Sequence, residues 1–389
     1  MDEIKEKIKK DIYSAKDELF ELSKYIYDNP ETGGREYKAS ARLEDMLERH
    51  GFTVKRGYLG LDTAFRADYG SGDGAAVAVM AEYDALPGLG HGCGHNLICT
   101  AAAGAAIALQ PVIDWSGGLV TVFGTPAEET NGAKVTMADA GVFDPYDIAI
   151  MAHPSDKYCV YSSSLAMDAL RFEYFGRAAH ASAAPQEGIN ALDAVIMFFN
   201  GINALRQGME EGSRIHGIIT DGGKAPNIIP EHAEACFYVR ASTRIGLDEL
   251  KEKVLNCAKG AELATGATLK VSKFEFSFDN MITNRHLAEV CLENLKLLDV
   301  YDVSGNDENM GSTDMGNVSH RVPSMHMYFK ITNQGTPGHS IEMRDAAGSS
   351  KGMNGMLTAA CVMAMTAADV ITDGNLRRRV RDEFNRAMQ

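Results

Sequence analysis

The chain has 389 residues, of which 45% are hydrophobic and 23% are charged, and its formal net charge is −15. This length suffices for two domains with separate cores, and the composition is that of a globular protein. Nucleic acids and anionic membranes bind basic surfaces, so the acidic balance argues against both as partners.

The first part of the chain is predicted to be helical. Residues 2–28 and 35–50 form two amphipathic patterns, separated by Pro30 and the Gly33–Gly34 pair. Apolar runs that end in polar residues follow at 75–84, 118–129, 146–154 and 323–331. Helical stretches occur at 97–109, 131–141 and 352–370. Strands that alternate with helices predict an α/β domain with a mostly parallel sheet covered by helices on both faces.

The pattern changes between residues 167 and 278. The predicted elements are strand, helix, strand, strand, helix and strand, at 167–176, 187–210, 214–222, 231–242, 246–266 and 267–277. The order βαββαβ is that of the ferredoxin-like α+β unit. We therefore predict a discontinuous larger domain, residues 1–166 and 279–389, with a smaller domain, residues 167–278, inserted into it.

The cysteines and the N-terminus indicate the compartment. Seven cysteines are spread along the chain without regular spacing, which argues against a disulfide framework. The N-terminal stretch MDEIKEKIKKD is charged throughout and lacks the apolar segment of a secretory signal. The longest apolar run, 97–109, is shorter than the roughly 18 residues that span a bilayer. We expect a cytoplasmic protein.

The stretch HGCGHN, residues 91–96, places two histidines and a cysteine in a glycine-rich turn. Thiolate and imidazole are good zinc ligands. Taken alone, however, His95 is also compatible with a helix cap, and Cys93 with a small buried side chain.

Other polar residues follow the apolar runs. The adjacent carboxylates Glu128 and Glu129 repel each other, and a cation beside them would offset the repulsion. The alternative is a pair of solvated acids in the first turn of a helix, where the helix dipole favours them. His153 follows the run IAIMA, and His339 lies in the turn GTPGHS. Taken alone, His153 is more often a structural histidine than a ligand, and His339 could simply lie in a surface loop.

Together these residues predict a centre of two divalent metal ions. Five candidate ligands each follow a strand or turn at one edge of the predicted sheet: Cys93, His95, Glu129, His153 and His339. Two ions about 3.5–4 Å apart need about that many protein ligands and a bridging water. Glu128 is then left free to accept a proton from that water.

The motifs HGCGHN, PAEE, MAHP, GRAAHASAAP, GGKAPNIIP and GTPGHS, in this order, resemble the aminoacylase/carboxypeptidase superfamily of co-catalytic metallohydrolases. Within its amidohydrolase branch the sequence is most similar to p-aminobenzoyl-glutamate hydrolase subunits and related dipeptidases, and more distantly to hippurate and indole-acetyl-amino-acid hydrolases. Asn96 stands where the hippurate enzymes usually have Asp, and GSTDMG at 311–316 replaces a Gly-Ser-Glu-Asp run. Asp314 in that run is either functional or only a helix cap.

The resemblance implies a role for each residue of the centre. Cys93 would bridge the two metal ions, and the other four candidates would be further ligands. Glu128 would be the general base, and Asp84 would orient a ligand from behind the site. The thiolate favours zinc, although relatives are often active with manganese.

The resemblance also implies that the inserted domain is a lid that forms a homodimer. From it, His180 would hydrogen-bond the developing oxyanion and Asn227 would help to hold the substrate carboxylate, both typically reaching the partner subunit's site. Arg240 would pair with the same carboxylate, or is simply a charge on a surface strand.

The expected activity is hydrolysis of the amide bond of a small-molecule substrate, a dipeptide or an N-acyl amino acid such as p-aminobenzoyl-glutamate. One alternative keeps this chemistry and makes the protein an N-acetyl-amino-acid deacetylase. Another alternative is a binding protein that keeps the fold without catalysis. The presence of every expected ligand and of the base argues against this last alternative.

Overall fold

The computed structural model describes residues 2–305 and 311–389, and the chain divides into two compact units. Unit 1 contains Met1–Ser163, Met281–Asn309 and Asp314–Gln389. Unit 2 contains Ser164–Asn280 and Met310–Thr313. The predicted fold class, an α/β domain with a mostly parallel sheet and an inserted α+β domain, is confirmed.

Unit 1 begins with three helices and continues with strands and helices on both sides of the insertion. Its helices are α1 (Asp2–Ser14), α2 (Lys16–Asp28), α3 (Tyr37–Arg49), α4 (His95–Ser116), α5 (Ala133–Asp139), α8 (Arg285–Leu297), α9 (Met315–Ser319), α10 (Ile341–Ala347), α11 (Ser350–Thr372) and α12 (Gly374–Ala387). Its strands are β1 (Thr53–Arg56), β2 (Phe65–Gly70), β3 (Ala76–Ala81), β4 (Leu119–Gly124), β5 (Ile148–Ser155), β6 (Tyr158–Cys159), β11 (Val303–Ser304) and β12 (Ser324–Lys330), with a short 3₁₀ turn at Tyr58–Gly60.

The strands of unit 1 form one sheet in the order β1-β2-β4-β3-β5-β12-β6-β11. The four central strands, from β4 to β12, are parallel. β1 and β2 pair antiparallel with their neighbours, and β6 is antiparallel to β12 but parallel to β11. Successive residues of β3 enter two different cores: Val77 and Val79 pack with α4 and α11, and Ala78 and Met80 pack on the opposite face. Burial on both faces explains why the central strands are continuous apolar runs.

Two core helices are apolar along most of their length. α4 and α11 are long and apolar enough to cross a membrane by length and composition, but 83% and 89% of their most apolar windows are buried inside the protein. They pack against each other beneath the sheet, so their composition is that of central core helices.

Unit 2 contains β7 (Ala166–Phe175), α6 (Ala191–Leu205), β8 (Arg214–Asp221), β9 (His232–Ala241), α7 (Arg244–Thr265) and β10 (Thr268–Lys273), with 3₁₀ turns at Pro185–Glu187 and Arg206–Gly208. Its four strands form an antiparallel sheet in the order β10-β7-β9-β8. Both helices cover one face, where Phe172, Phe198 and Phe237 lie at the centre of the core. The element order is the βαββαβ order predicted from the sequence.

The structure differs from the sequence-based prediction mainly at the edges of unit 1. The predicted helix over residues 2–28 is two helices separated at Ala15, with no Gly or Pro to mark the break. The strands β1, β2, β6 and β11 were not predicted. They are short or contain charged residues, because they lie at the sheet edges, where one face or one side is exposed.

Candidate metal centre

The site residues of unit 1 lie at the carboxyl ends of neighbouring parallel strands. The last residue of β3, Ala81, is level with the last residue of β4, Gly124, so the chain segments after both strands leave the sheet side by side. Asp84 follows β3, and the pair Glu128–Glu129 follows β4. His153 lies near the end of β5, opposite Tyr328 of β12. The edge predicted from the sequence is therefore the one that gathers them.

The turn at residues 91–96 leads into α4. Gly94 precedes the helix with a φ of 73°, in the left-handed region that favours glycine. A Cβ atom at this position would also lie 2.5 Å from Cγ of Pro154. Glycine thus lets Cys93 and His95 approach the end of β5. His91 is directed elsewhere, since its Nε2 lies 3.1 Å from the carbonyl oxygen of Ile26.

The five candidate ligands converge. Sγ of Cys93 lies 3.4 Å from Nε2 of His153 and 3.6 Å from Nε2 of His339. Oε1 of Glu129 lies 3.4 Å from Nε2 of His339 and 3.8 Å from Nε2 of His95. Two groups of atoms share the sulfur, Cys93–His95–His153 and Cys93–Glu129–His339, and within each group all ligand atoms lie within 4.8 Å of one another. This arrangement suits two ions with a thiolate between them.

The unpaired atoms of this cluster fit a pair of divalent ions. Nε2 of His95 and Oε1 of Glu129 are buried, and neither has a hydrogen-bond partner among the described residues. An unpaired buried polar atom is costly, and a cation bound between these atoms removes the cost. Burial raises the pKa of Cys93, but His153 and His339 outweigh it and lower this pKa to about 6. The thiolate, which is the metal-binding form, is therefore present near neutral pH.

Asp84 connects two of the ligand segments. Its Oδ1 lies 3.0 Å from Nδ1 of His95, and its Oδ2 accepts a hydrogen bond of 3.0 Å from the backbone N–H of Glu129. Burial raises the pKa of Asp84, but the interaction with His95 dominates and keeps this pKa below its ordinary value. The ionised carboxylate holds the His95 ring so that Nε2 faces the cluster.

The backbone is strained at two positions of the site, just before Glu128 and at His339. Ala127 has a φ of 63° and His339 a φ of 55°, which are unusual values for residues other than glycine. The N–H of Ala127 donates to the buried carboxylate of Glu36 at 2.9 Å, and the N–H of His339 donates to the carbonyl oxygen of Gly92 at 3.2 Å. Strained backbone conformations of this kind occur mainly at active sites and ligand-binding sites, where hydrogen bonds from the surrounding structure hold them in place.

Glu128 lies among other acids. Its pKa is raised well above the ordinary value by burial and by the nearby carboxylates of Glu82, Asp314 and Glu129. Carboxylate oxygens of Glu82, Glu128 and Asp314 lie within 4.8 Å of one another. A carboxylate with a raised pKa is well suited to accept and return a proton near neutral pH.

Sequence reasoning missed two buried residues behind the centre, Glu82 and Lys134. Glu82 shares the AEYD stretch with Asp84, and this proximity was the available signal. Lys134 gave no signal, because a lysine in a short helix is usually exposed. Asp314 precedes α9, but its side chain makes no capping hydrogen bond and contacts Lys134 instead.

The remaining predicted residues belong to unit 2. His180 and Asn227 are exposed and lie on adjoining loops, since the N–H of Ala181 donates to the carbonyl oxygen of Asn227 at 3.0 Å. Nδ1 of His180 accepts from the N–H of Ala183 at 3.3 Å, which leaves the proton of the neutral ring on Nε2. Arg240 is half-buried on β9 and donates to Oγ of Ser312 at 3.0 Å, while its Nε is buried without a hydrogen-bond partner among the described residues.

Comparison with known proteins identifies the family. The model of the peptidase dimerisation domain of the M20 peptidases matches residues 167–264, within unit 2. The chain is 38% identical over 394 residues to the Xaa-Arg dipeptidase of Mus musculus, covering 97% of this chain and 91% of the relative. The chain belongs to the M20 peptidase family.

A second relative is also similar to this chain over most of its length. One of the p-aminobenzoyl-glutamate hydrolase subunits of Escherichia coli (strain K12) is 29% identical over 439 residues, which cover 93% of this chain and 91% of that protein. As an M20 member, the chain is a hydrolase of carbon–nitrogen bonds in peptides and amides.

Solved structures show the same M20 fold. An aminohydrolase from methicillin-resistant Staphylococcus aureus matches with a TM-score of 0.81 and 19% identity, covering 94% of this chain and all (100%) of that one. A dinuclear metal-binding M20 peptidase from Bacillus subtilis matches with a TM-score of 0.70 and 19% identity, covering 92% and 99%.

Proposed function

We propose that the chain hydrolyses the amide bond of dipeptides or N-acyl amino acids, releasing an amino acid. The observation that carries the proposal is the position of the Cys93 sulfur between the imidazoles of His153 and His339, with unpaired atoms of His95 and Glu129 beside it. The similarity to an Xaa-Arg dipeptidase supports a dipeptide as substrate. We propose Cys93, His95, Glu129, His153 and His339 as the ligands, and zinc or manganese as the metal.

The residues around this centre have different roles in the proposed reaction. Bound divalent ions would polarise the scissile carbonyl and make a water more acidic. Glu128 takes the proton of the attacking water and delivers it to the leaving amine, a step worth about 10²–10⁴-fold in rate. Asp84 keeps His95 oriented throughout. His180 donates its Nε2 proton to the developing oxyanion, and loss of such a donor costs about 10²–10³-fold.

The substrate carboxylate is assigned to Asn227 and Arg240. Arg240 is half-buried with an unpaired Nε, which a carboxylate would satisfy.

We propose residues 167–278 as the lid and dimerisation domain that supplies these groups, and residues 1–166 and 279–389 as the catalytic domain.

The homodimer is proposed to form through the edge strand β8 and helix α6 of unit 2. β8 is the last strand of its sheet and exposes Ile218 by 65% and Ile219 by 43%. α6 exposes Ile196 and Met197. Apolar side chains beside an open strand edge are typical of a surface that pairs with a second copy.

Seven free cysteines support a reducing, cytoplasmic location.

The alternative substrate is an N-acetyl amino acid. It is supported by 26% identity over 246 residues, 55% of this chain, to the N-acetyl-L-cysteine deacetylase of Bacillus subtilis (strain 168). The shorter match and the lower identity favour the dipeptide.

Turnover on three substrate classes tests the proposal. Metal-reconstituted protein should hydrolyse dipeptides with a C-terminal basic residue faster than p-aminobenzoyl-glutamate and N-acetyl amino acids. Elemental analysis of protein purified without added metal should find two divalent ions for each chain. Absence of hydrolysis of all three classes by the fully loaded protein would contradict the proposal.

A further inference from the structure

A buried lysine lies behind the metal centre. Lys134 is fully buried, and its ammonium donates to Oε1 of Glu82 at 2.5 Å and to Oδ1 of Asp314 at 2.6 Å. The backbone N–H of Lys134 donates to the other oxygen of Asp314 at 3.1 Å. These contacts join the segment after β3 to the first turn of α5 and to the residue that precedes α9. A buried cation with two carboxylate partners is held firmly, because the ion pairs offset the cost of burying these charged groups.

The ion pair uses only one oxygen of Glu82. Oε2 of Glu82 is buried and has no hydrogen-bond partner in the part of the chain that the structure describes. It lies 3.6 Å from Nε2 of His95, which also lacks such a partner. This separation is too long for a hydrogen bond. It does match two ligand atoms that each lie about 2.0–2.2 Å from one shared ion.

The two groups around the Cys93 sulfur differ in composition. The group Cys93–Glu129–His339 contains a carboxylate, whereas the group Cys93–His95–His153 contains none. Glu82 would add a carboxylate oxygen on the His95 side, where oxygens of Glu128 and Glu129 also lie within 4.8 Å of the imidazole nitrogen. Asp84 occupies Nδ1 of His95, so Nε2 is the ring nitrogen that faces the carboxylate oxygen of Glu82. Both atoms are buried without a hydrogen-bond partner among the described residues, and a metal ion bound to both would remove the cost of leaving them unpaired.

We propose that Glu82 is a further metal-facing carboxylate, on the His95 side of the centre, and that Lys134 and Asp314 hold it there. The proposal rests on the proposed two-metal function. Lys134 is a positioning residue in this arrangement, because it acts on the metal through Glu82.

Calorimetric titration of Mn²⁺ into metal-free protein tests this assignment. In the wild type, two ions should bind. In Glu82→Gln, one of the two affinities should fall by about 10–100-fold while the other is kept, as expected when a group that supports a metal ligand is lost. Glu44→Gln is the matched control, because Glu44 is also buried and ion-paired, but its partner is Arg56 in a different part of unit 1.

Two further variants keep the test independent of folding. Glu82→Asp retains the charge but is one methylene shorter, so it should weaken the same site less than Glu82→Gln does. Lys134→Met should weaken the same site, and adding it to Glu82→Gln should cause no further loss, since Lys134 acts through Glu82. Thermal unfolding of the metal-free forms reports whether each variant is folded.

The outcomes separate this proposal from the proposed function. Unchanged affinities in folded Glu82→Gln or Glu82→Asp, with a wild type that binds two ions and hydrolyses an amide, would overturn the role of Glu82 alone. An equal loss in Glu44→Gln would also overturn it, because the effect would then follow from any buried acid. A wild type that binds no pair of ions and hydrolyses no amide would instead reject the proposed function.

Discussion

Glu128 and Glu129 are neighbours in the chain, yet their surroundings separate their acidities. Burial and the carboxylates of Glu82 and Asp314 raise the pKa of Glu128. Burial also opposes ionisation of Glu129, but the contact with His339 and the charge of His95 outweigh it and lower the pKa of Glu129. Two carboxylates whose pKa values are moved apart are suited to different tasks, one exchanging protons and the other staying ionised. This contrast supports Glu128 as base and Glu129 as ligand.

Replacement of each acid by Gln distinguishes these tasks. Glu128→Gln should lower kcat by about 10²–10⁴-fold, because the proton acceptor is lost, while metal content stays at two ions. Glu129→Gln should lose at least one ion. Elemental analysis and kcat at saturating substrate measure both effects. Loss of metal in Glu128→Gln, with retention in Glu129→Gln, would reverse the two assignments.

At the scale of elements, a buried ion pair joins strand β7 to helix α7 in unit 2. Asp168 of β7 is buried and contacts Nη1 of Arg244 at 2.9 Å and Nζ of Lys251 at 3.2 Å. Burial raises the pKa of Asp168, but Arg244 and Lys251 outweigh it and hold this pKa well below its ordinary value. The ionised Asp168 therefore stabilises the βαββαβ unit.

Asp168→Asn should lower the free energy of unfolding by roughly 3 kcal/mol at pH 7, since Arg244 and Lys251 lose the one carboxylate that is buried between them. Because the pKa of Asp168 is lower in the folded state, its contribution is complete above about pH 3.9, the unfolded value, and is lost as pH falls further. The difference between variant and wild type should therefore shrink in acid. Denaturant unfolding at a series of pH values measures it.

Asp248→Asn is the control for this prediction. Asp248 also contacts Arg244, at 2.6 Å, but 53% of its side chain is exposed. An exposed ion pair contributes about 0–1 kcal/mol, so this variant should remain close to the wild type. Equal losses in Asp168→Asn and Asp248→Asn would contradict the role given to burial.

At the scale of the whole molecule, the proposed homodimer would make function depend on the association of two copies. The matching dimerisation-domain model covers residues 167–264, which include β8 and α6. If lid residues complete the partner's site, as the family resemblance implies, His180 and Asn227 serve a centre on another chain. Activity would then depend on association as well as on metal.

Ile218→Asp should convert the proposed dimer to a monomer, because it places a charge in the apolar surface of the edge strand. Sedimentation velocity measures the change in mass, and turnover should fall with it. Leu263→Asp is the control, since Leu263 is 84% exposed on α7, outside the proposed interface. A dimeric, fully active Ile218→Asp would place the interface elsewhere.

The sequence alone determined the α/β class, the inserted βαββαβ unit and the set of polar residues after the strands. These features depend on local periodicity and on chain order, which a single sequence contains. Apolar runs at 75–84 and 146–154, for example, correspond to the buried strands β3 and β5.

Only the tertiary structure decided which polar groups are buried and what they face. Nothing in the sequence distinguishes Lys134 from a solvated lysine, or relates Glu82 to Asp314, 232 positions later. Lys134 joins Glu82 and Asp314 because three chain segments meet behind the metal centre, and their charges are kept in place because burial makes an unpaired charge costly. Local pattern therefore sets the elements, whereas long-range packing sets the electrostatics of the site.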